Sequence, residues 1–226
     1  MSNRGLEDVG RDAMGRDAMG PDATGQDPWL RIAGVVLAAG AGSRFGQPKA
    51  GVEVGGRRLV DLAIESCVRA GLDPVVVVLG AGRPIPLPVM SSADGMTAEV
   101  RLVDNPDWAS GMASSLRASL SALEADPGVD ALVLTLVDTP SVGEEHLRRI
   151  GSSLRGGATA AVATYDGAAR LPVGLTREVW AAVAAAVTGD EGARRWLRSH
   201  PDMVTDVECA DLGPWSDINT PSDLPG

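Results

Sequence analysis

Three short apolar runs, Ile32 to Leu37, Pro74 to Leu79 and Ala131 to Val137, constrain this chain more than any other feature. They are continuous rather than alternating and rich in Val and Leu, the pattern of strands covered on both faces. Between them stand helical patterns: Val60, Ala63, Ile64, Cys67 and Val68 share one face, and Ala113, Leu116, Leu120 and Leu123 another. The spacing recurs at Leu147, Ile150 and Leu154, and at Val179, Trp180, Val183 and Val187. Strand and helix taking turns predict right-handed βαβ crossovers, a mostly parallel Rossmann-like sheet and a three-layer α/β/α sandwich. Further strands are expected over Val100 to Val103 and Thr159 to Thr164. Ligands of such sheets bind beyond the carboxyl ends of the strands, so the residues after each apolar run are the ones to read for chemistry.

The first 29 residues break the pattern. GRDAM, GRDAM, GPDAT and GQDPW follow one another from Gly10 to Trp29, a near-repeat with no apolar face. Residues 1–29 are expected to form a flexible tail, and residues 30–226 a single domain. A formal charge of −10 argues against general binding to phosphate backbones. The cysteines, Cys67 and Cys209, are too few for a disulfide framework, and no apolar run approaches the roughly 20 residues of a membrane span. A cytoplasmic protein without a membrane or nucleic-acid partner is the expectation. With His146 and His200 as its two histidines, the chain has poor prospects for a Cys/His nucleophile pair or a thiolate metal cluster. Both histidines are expected at the surface. Trp180 and Trp196 fall at helical spacings among Ala and Leu and read as packing residues.

The first strand runs into Ala38-Ala39-Gly40-Ala41-Gly42-Ser43-Arg44-Phe45-Gly46-Gln47-Pro48-Lys49. Its glycines allow backbone N–H groups to turn inward around an anion, and Arg44 and Lys49 bring positive charge to the same place. The dinucleotide fingerprint fits poorly, because the glycines at 40, 42 and 46 are spaced one residue too long, and no Gly-Lys-Ser/Thr follows to make a Walker loop. The third apolar run ends in Val137-Asp138-Thr139-Pro140. An acid on the heels of a buried strand suits a Mg²⁺ carrying substrate phosphates, although a lone Asp in that position also reads as a turn or cap residue. Asp217, in Ser216-Asp217-Ile218-Asn219-Thr220-Pro221-Ser222-Asp223, is a candidate second ligand; Asp223 reads as the structural acid of a helix start.

The glycine loop, Asn105-Pro106-Asp107-Trp108-Ala109-Ser110-Gly111-Met112-Ala113-Ser114-Ser115, Leu-Val-Asp-Thr-Pro, Gly189-Asp190-Glu191-Gly192-Ala193-Arg194 and Asp-Ile-Asn-Thr-Pro-Ser-Asp-Leu occur in that order. The set resembles the nucleotidyltransferases of the molybdenum cofactor branch, in particular the cofactor cytidylyltransferases, from about Ile32 to Leu224. The resemblance implies a nucleoside triphosphate in the loop formed by Ala38, Ala39, Gly40, Ala41, Gly42, Ser43 and Gly46. It also implies Arg44 and Lys49 on the phosphates, Mg²⁺ on Asp138 and Asp217, and a base or ribose beside Gly111, Ser114 and Ser115. The two serines equally suit N-capping of the helix through Leu116. Ala-Ala-Gly, where guanylyl-transferring relatives usually show Ala-Gly-Gly, implies CTP over GTP. Molybdopterin is the implied acceptor, with a molybdoenzyme or maturation protein as partner.

One departure lies on the acceptor side. Where the resembling enzymes carry Gly-His-Pro, this chain has Ala169-Arg170-Leu171-Pro172. Arg170 is either a grip on an acceptor phosphate or a solvated surface charge. Arg194 divides in the same way between phosphate contact and surface charge. Asn219 stands where the C-terminal motif usually has its second acid. Two other readings share the layers: a dinucleotide-dependent oxidoreductase, which should show tighter glycines and an acid after the second strand where Gly80 stands, and an idle binding protein of molybdoenzyme maturation.

Overall fold

The computed structural model describes residues 30–82 and 97–224, so the tail reading for residues 1–29 lies outside the described residues. A seven-stranded sheet carries the architecture. In chain order its strands are β1 (Ile32–Leu37), β4 (Val75–Leu79), β5 (Val100–Asp104), β6 (Ala131–Leu136), β7 (Ala160–Tyr165), β8 (Ala168–Thr176) and β9 (Val204–Glu208). The missing numbers belong to a two-stranded ribbon, β2 (Glu53–Val54) and β3 (Arg57–Arg58), which pairs antiparallel just before the first helix. Across the sheet the order is β5-β4-β1-β6-β8-β7-β9. The three expected central strands are neighbours and parallel, with Val35 opposite both Val76 and Leu134.

Each of these strands serves two cores by its alternation. Ile32, Val36, Val75, Val77 and Val133 point to one face, against α1 (Leu59–Arg69) and α3 (Glu144–Arg155). Val35, Leu37, Val76, Val78 and Leu132 point to the other, against α2 (Met112–Glu124), α4 (Trp180–Ala186) and α5 (Arg194–Ser199). Both faces being apolar is the reason these runs show no polar gaps. Trp180 and Trp196 are buried in the second core, as their spacing predicts.

Two departures from the expected pattern have physical causes. β8 runs antiparallel between β6 and β7. It returns from β7 through Asp166-Gly167, both at positive φ, a two-residue hairpin turn. Pro172 argues against a strand in sequence, since it has no N–H for a ladder. The sheet accommodates it in a bulge: Val162 faces Val173 while the next residue, Ala163, faces Arg170, so Leu171 and Pro172 stand outside the ladder.

The second departure is His146, which is 5% exposed rather than at the surface. It sits in the first turn of α3, where its Nδ1 accepts a hydrogen bond from the Gly143 N–H at 3.2 Å and its ring stacks on Tyr165. Burial, helped by Arg149 and opposed by Asp211 and Glu145, lowers its pKa from 6.5. The unfolded chain therefore takes up this proton first as pH falls, so the stability contributed by neutral His146 is complete above about 6.5 and declines below it. His146→Gln keeps an acceptor for Gly143 and cannot titrate. Urea midpoints at pH 7.5 and 5.5 should differ less in the variant than in the parent chain; equal differences would remove His146 from the pH response.

Candidate active site

The glycine loop is held where β1 ends. Ala38 N–H donates to Val78 O and Ala81 N–H to Ala39 O, so the loop leaves the sheet at the carboxyl ends of β1 and β4. At Gly42, with φ +61°, the chain doubles back and its carbonyl accepts from both Phe45 and Gly46 N–H at 2.8 Å. A Cβ on Gly42 would lie 2.0 Å from Gln47 O, so no other residue fits this turn. Ser43 and Arg44 are exposed on the rim, and Lys49 opens a single 3-10 turn, Lys49–Gly51, that brings its side chain back over the sheet.

Lys49 Nζ donates to Asp138 Oδ2 at 2.7 Å and to Asn219 Oδ1 at 3.0 Å. Asp138 follows β6, and its backbone anchors the C-terminal segment because Ile218 N–H donates to Asp138 O. Ser141 Oγ donates to Ser216 O and accepts from the Ser216 N–H. Asp223 accepts from the N–H groups of Asn219 and Thr220 and from the Thr220 hydroxyl, the backbone bonds first among the causes that lower its pKa. Asp223 is thus the structural acid that the sequence suggests.

Gly40, Gly42, Ser43, Arg44, Lys49, Asp138, Asp190 and Asn219 line a cleft of about 390 Å³. Ala38 and Ala39, which lead into the loop, are buried, and neither they nor Ala41 and Gly46 are among the residues lining the cleft. Asp217 stands one position back. Ile218 turns into the core, so Asp217 and Asn219 share the other side of the segment, and Asn219 reaches the cleft while its Nδ2 donates to Asp217 Oδ2 at 2.8 Å. The hydrogen-bonded series therefore runs Asp217, Asn219, Lys49, Asp138.

Gly111, Ser114 and Ser115 are not among the residues lining this cleft. Asn105 Nδ2 donates to Ser114 Oγ at 2.8 Å and to Ser115 Oγ at 3.0 Å, and Ser114 Oγ donates to Gly111 O. The serines do not cap α2. That role falls to the segment before α5: Asp190 Oδ1 accepts from Met112 N–H at 3.1 Å and Gly189 O from Ala113 N–H at 2.8 Å. A Cβ on Gly111 would strike Gly189 and Asp190, which explains the glycine. Asp190 is the cleft-lining residue that sequence reading undervalues; its signal is the Gly-Asp-Glu-Gly motif.

A second, larger cavity of about 420 Å³ adjoins the first, sharing Asp190 with it and including Asp217. Its walls mix apolar side chains from α2, β6, β7, β8, β9 and α5 with charged ones, and Trp215 and Arg170 are among them. The Arg170 guanidinium lies 5.6 Å from the Trp215 ring centroid. Both cysteines are free and buried, and burial pushes the Cys67 thiol up to about 12, which leaves it inert as a nucleophile. Among the described residues no helix is long and apolar enough to cross a membrane.

A mostly parallel sheet with a glycine loop at the carboxyl ends of β1 and β4, and with Lys49 paired to Asp138 beside it, agrees with a nucleotidyltransferase. Residues 34–204 match the MobA-like NTP transferase domain, and the chain belongs to that family. Nicotine blue oxidoreductase of Paenarthrobacter nicotinovorans is 36% identical over 84% of this chain and 92% of its own. Molybdenum cofactor guanylyltransferase of Rhizobium meliloti (strain 1021) is 29% identical over 84% and 87%. Among solved structures, the Mycobacterium tuberculosis Rv0371c homolog from Mycobacterium sp. strain JC1 superposes with a TM-score of 0.69 at 29% identity, covering 86% of this chain and 93% of that one. Rv0371c of M. tuberculosis H37Rv in complex with manganese gives 0.59 at 26% identity, over 79% and 88%.

Proposed function

We propose that residues 30–226 act as one cytoplasmic, Mg²⁺-dependent transferase that moves a nucleoside monophosphate, with CTP as the favoured donor, onto a terminal phosphate of an acceptor, and that residues 1–29 are a tail. The observation that carries the reading is the contact of Lys49 with Asp138 and Asn219 at the mouth of the glycine loop. Molybdopterin is the acceptor that the guanylyltransferase relatives' names suggest.

The residues fit a hard divalent ion. Asp138 Oδ1 is buried without a hydrogen-bond partner, a carboxylate oxygen available to a cation. No group of three or more His, Cys, Asp or Glu forms a metal cage among the described residues, so the ion draws its other ligands from phosphates and water, as Mg²⁺ commonly does. Asp138 would hold it, with Asp217 behind Asn219 as the second acid; bound there it would offset charge on the triphosphate. Manganese in the Rv0371c structure supports a divalent ion in this family.

Loop N–H groups and Arg44 bind the phosphates, and Lys49 holds the α-phosphate end against Asp138. An anionic oxygen of the acceptor phosphate forms a bond to the α-phosphorus, the bond to the bridging oxygen breaks, and pyrophosphate leaves. The attacking oxygen carries no proton, so a general base is not needed, which accounts for a site without histidine. The work of the protein is alignment and charge offset.

Incubation with Mg²⁺, a molybdopterin-type acceptor and CTP, GTP or ATP, scoring pyrophosphate, tests this. Release is expected with CTP above the others; a GTP preference would overturn the base assignment, and no release with any donor the reaction. The name of the 36% relative favours a second reading, oxidoreduction of a substrate such as nicotine blue. Oxidation of NADH or NADPH with such a substrate, without pyrophosphate, would establish it.

A further inference from the structure

We propose that Ser141 is a positioning residue of the site: its hydroxyl fixes residues 213–219 and, through Asp217 and Asn219, the side chain of Lys49. That this serves transfer rests on the nucleotidyltransferase reading; that Ser141 fixes the segment does not.

Asp217 and Asn219 come from a stretch with no ladder to hold it. Residues 213–219 form neither helix nor strand, so their N–H and C=O groups find partners one at a time. Ser141 Oγ partners both groups of one residue. It donates to Ser216 O at 2.9 Å and accepts from Ser216 N–H at 3.0 Å, as the backbone of a neighbouring strand would. A hydroxyl carries a donor and acceptors on one atom, which is why a side chain as short as serine can do both. Further along, Ile218 N–H donates to Asp138 O at 2.8 Å, and the Ile218 side chain is buried. Asp217 is therefore pinned from both sides.

The clamp can transmit position because its own base is rigid. Thr139-Pro140-Ser141-Val142 is a turn closed by Val142 N–H on Thr139 O at 3.0 Å, with proline in the second place, where its fixed φ suits. Thr139 and Val142 are buried, and Thr139 Oγ1 donates back to Leu136 O of β6 at 2.9 Å. Ser141 thus stands on a turn tied to the central sheet, while the segment that it holds runs over the surface, with Pro214 and Ser216 exposed. From the segment the position passes to the site: Asn219 Nδ2 donates to Asp217 Oδ2, and Asn219 Oδ1 accepts from Lys49 Nζ. Asp217 lines the larger cavity and Asn219 the smaller, so a shift of the segment alters both walls at once.

Ser141→Ala in the full chain tests this, because Ser216 is exposed and water can take up its freed N–H and C=O, so the fold survives. Hydrogen exchange at the Ser216 and Ile218 amides should quicken about tenfold as local opening becomes easier, with the melting temperature close to the parent's. With the donor that the parent uses, kcat should fall about tenfold while KM for nucleotide stays within about threefold, since the glycine loop and Arg44 are untouched. Ser216→Ala should match the parent, because the bonds run to the Ser216 backbone and not to its side chain. In an Asn219→Ala background, Ser141→Ala should cost less than about threefold in kcat, since the path to Lys49 is already cut. Unchanged exchange in Ser141→Ala overturns the proposal, as does an equal loss in Ser216→Ala. So does the full loss of about tenfold in the Asn219→Ala background, which would mean that Ser141 does not act through Asn219. A parent chain that releases no pyrophosphate fails the nucleotidyltransferase reading instead, and the exchange rates then still decide whether Ser141 holds the segment.

Discussion

Lys49→Ala lowers pyrophosphate release from the nucleotide by a factor on the order of 10² to 10³, the usual loss when one fixed donor to developing charge is removed. Lys49 is held on its far side by Asp138 and Asn219, so its position is set before any ligand arrives. The side chains of Lys49 and Asp138 are only 16% and 19% exposed. Removing the lysine leaves Asp138 with neither carboxylate oxygen paired to a side chain, since Oδ1 already lacks a partner. The stability cost is about 1 kcal/mol, below the value for a fully buried pair because the cleft opens to water. Adding Asp138→Asn to Lys49→Ala should recover that stability without recovering turnover. Urea midpoints and pyrophosphate release on the single and double variants check both halves; normal turnover in Lys49→Ala would mean that the site is misassigned.

Gly42→Ala should raise the dissociation constant for nucleotide about 10- to 100-fold while barely moving the melting temperature. The added Cβ meets Gln47 O at 2.0 Å, and the residue must also keep φ near +61°. Backbone strain of this kind is worth about 1–3 kcal/mol, and each 1.4 kcal/mol is a factor of ten in affinity. Relief comes from opening the turn, which breaks the Phe45 and Gly46 hydrogen bonds to Gly42 O and shifts Gly42 and Ser43, which line the cleft. The core is untouched because the loop lies beyond the end of β1. Gly40→Ala is the control for folding, since a Cβ there meets nothing within 4 Å. Nucleotide titrations of the two variants with matched thermal melts decide it. Equal affinities for Gly42→Ala and the parent would separate the loop from the phosphates.

Much of the layer plan was legible because it rests on short-range signals. The runs at Ile32, Val75 and Ala131 are continuous apolar stretches that their own residues define, and the Gly42 turn is closed by Phe45 and Gly46, its neighbours in sequence. His146 was misread because polarity predicts exposure, whereas a hydrogen bond from Gly143 and a stack on Tyr165 make burial tolerable. β8 escaped because Pro172 contradicts a strand unless a bulge receives it, although Asp166-Gly167 marks the hairpin.

The amino-acid sequence by itself determined the three layers, the family and a glycine loop beside a lysine and a strand-end acid. Only the tertiary structure decided which groups meet. Lys49 and Asn219 are 170 positions apart, Lys49 and Asp138 are 89, and Asp190 caps a helix 78 positions before it. Periodicity records which face of an element is apolar, but pairings across such distances depend on where whole elements are packed. That is why Asp190 and Asn219, rather than Ser114 and Asp217, came to stand on the walls of the cleft.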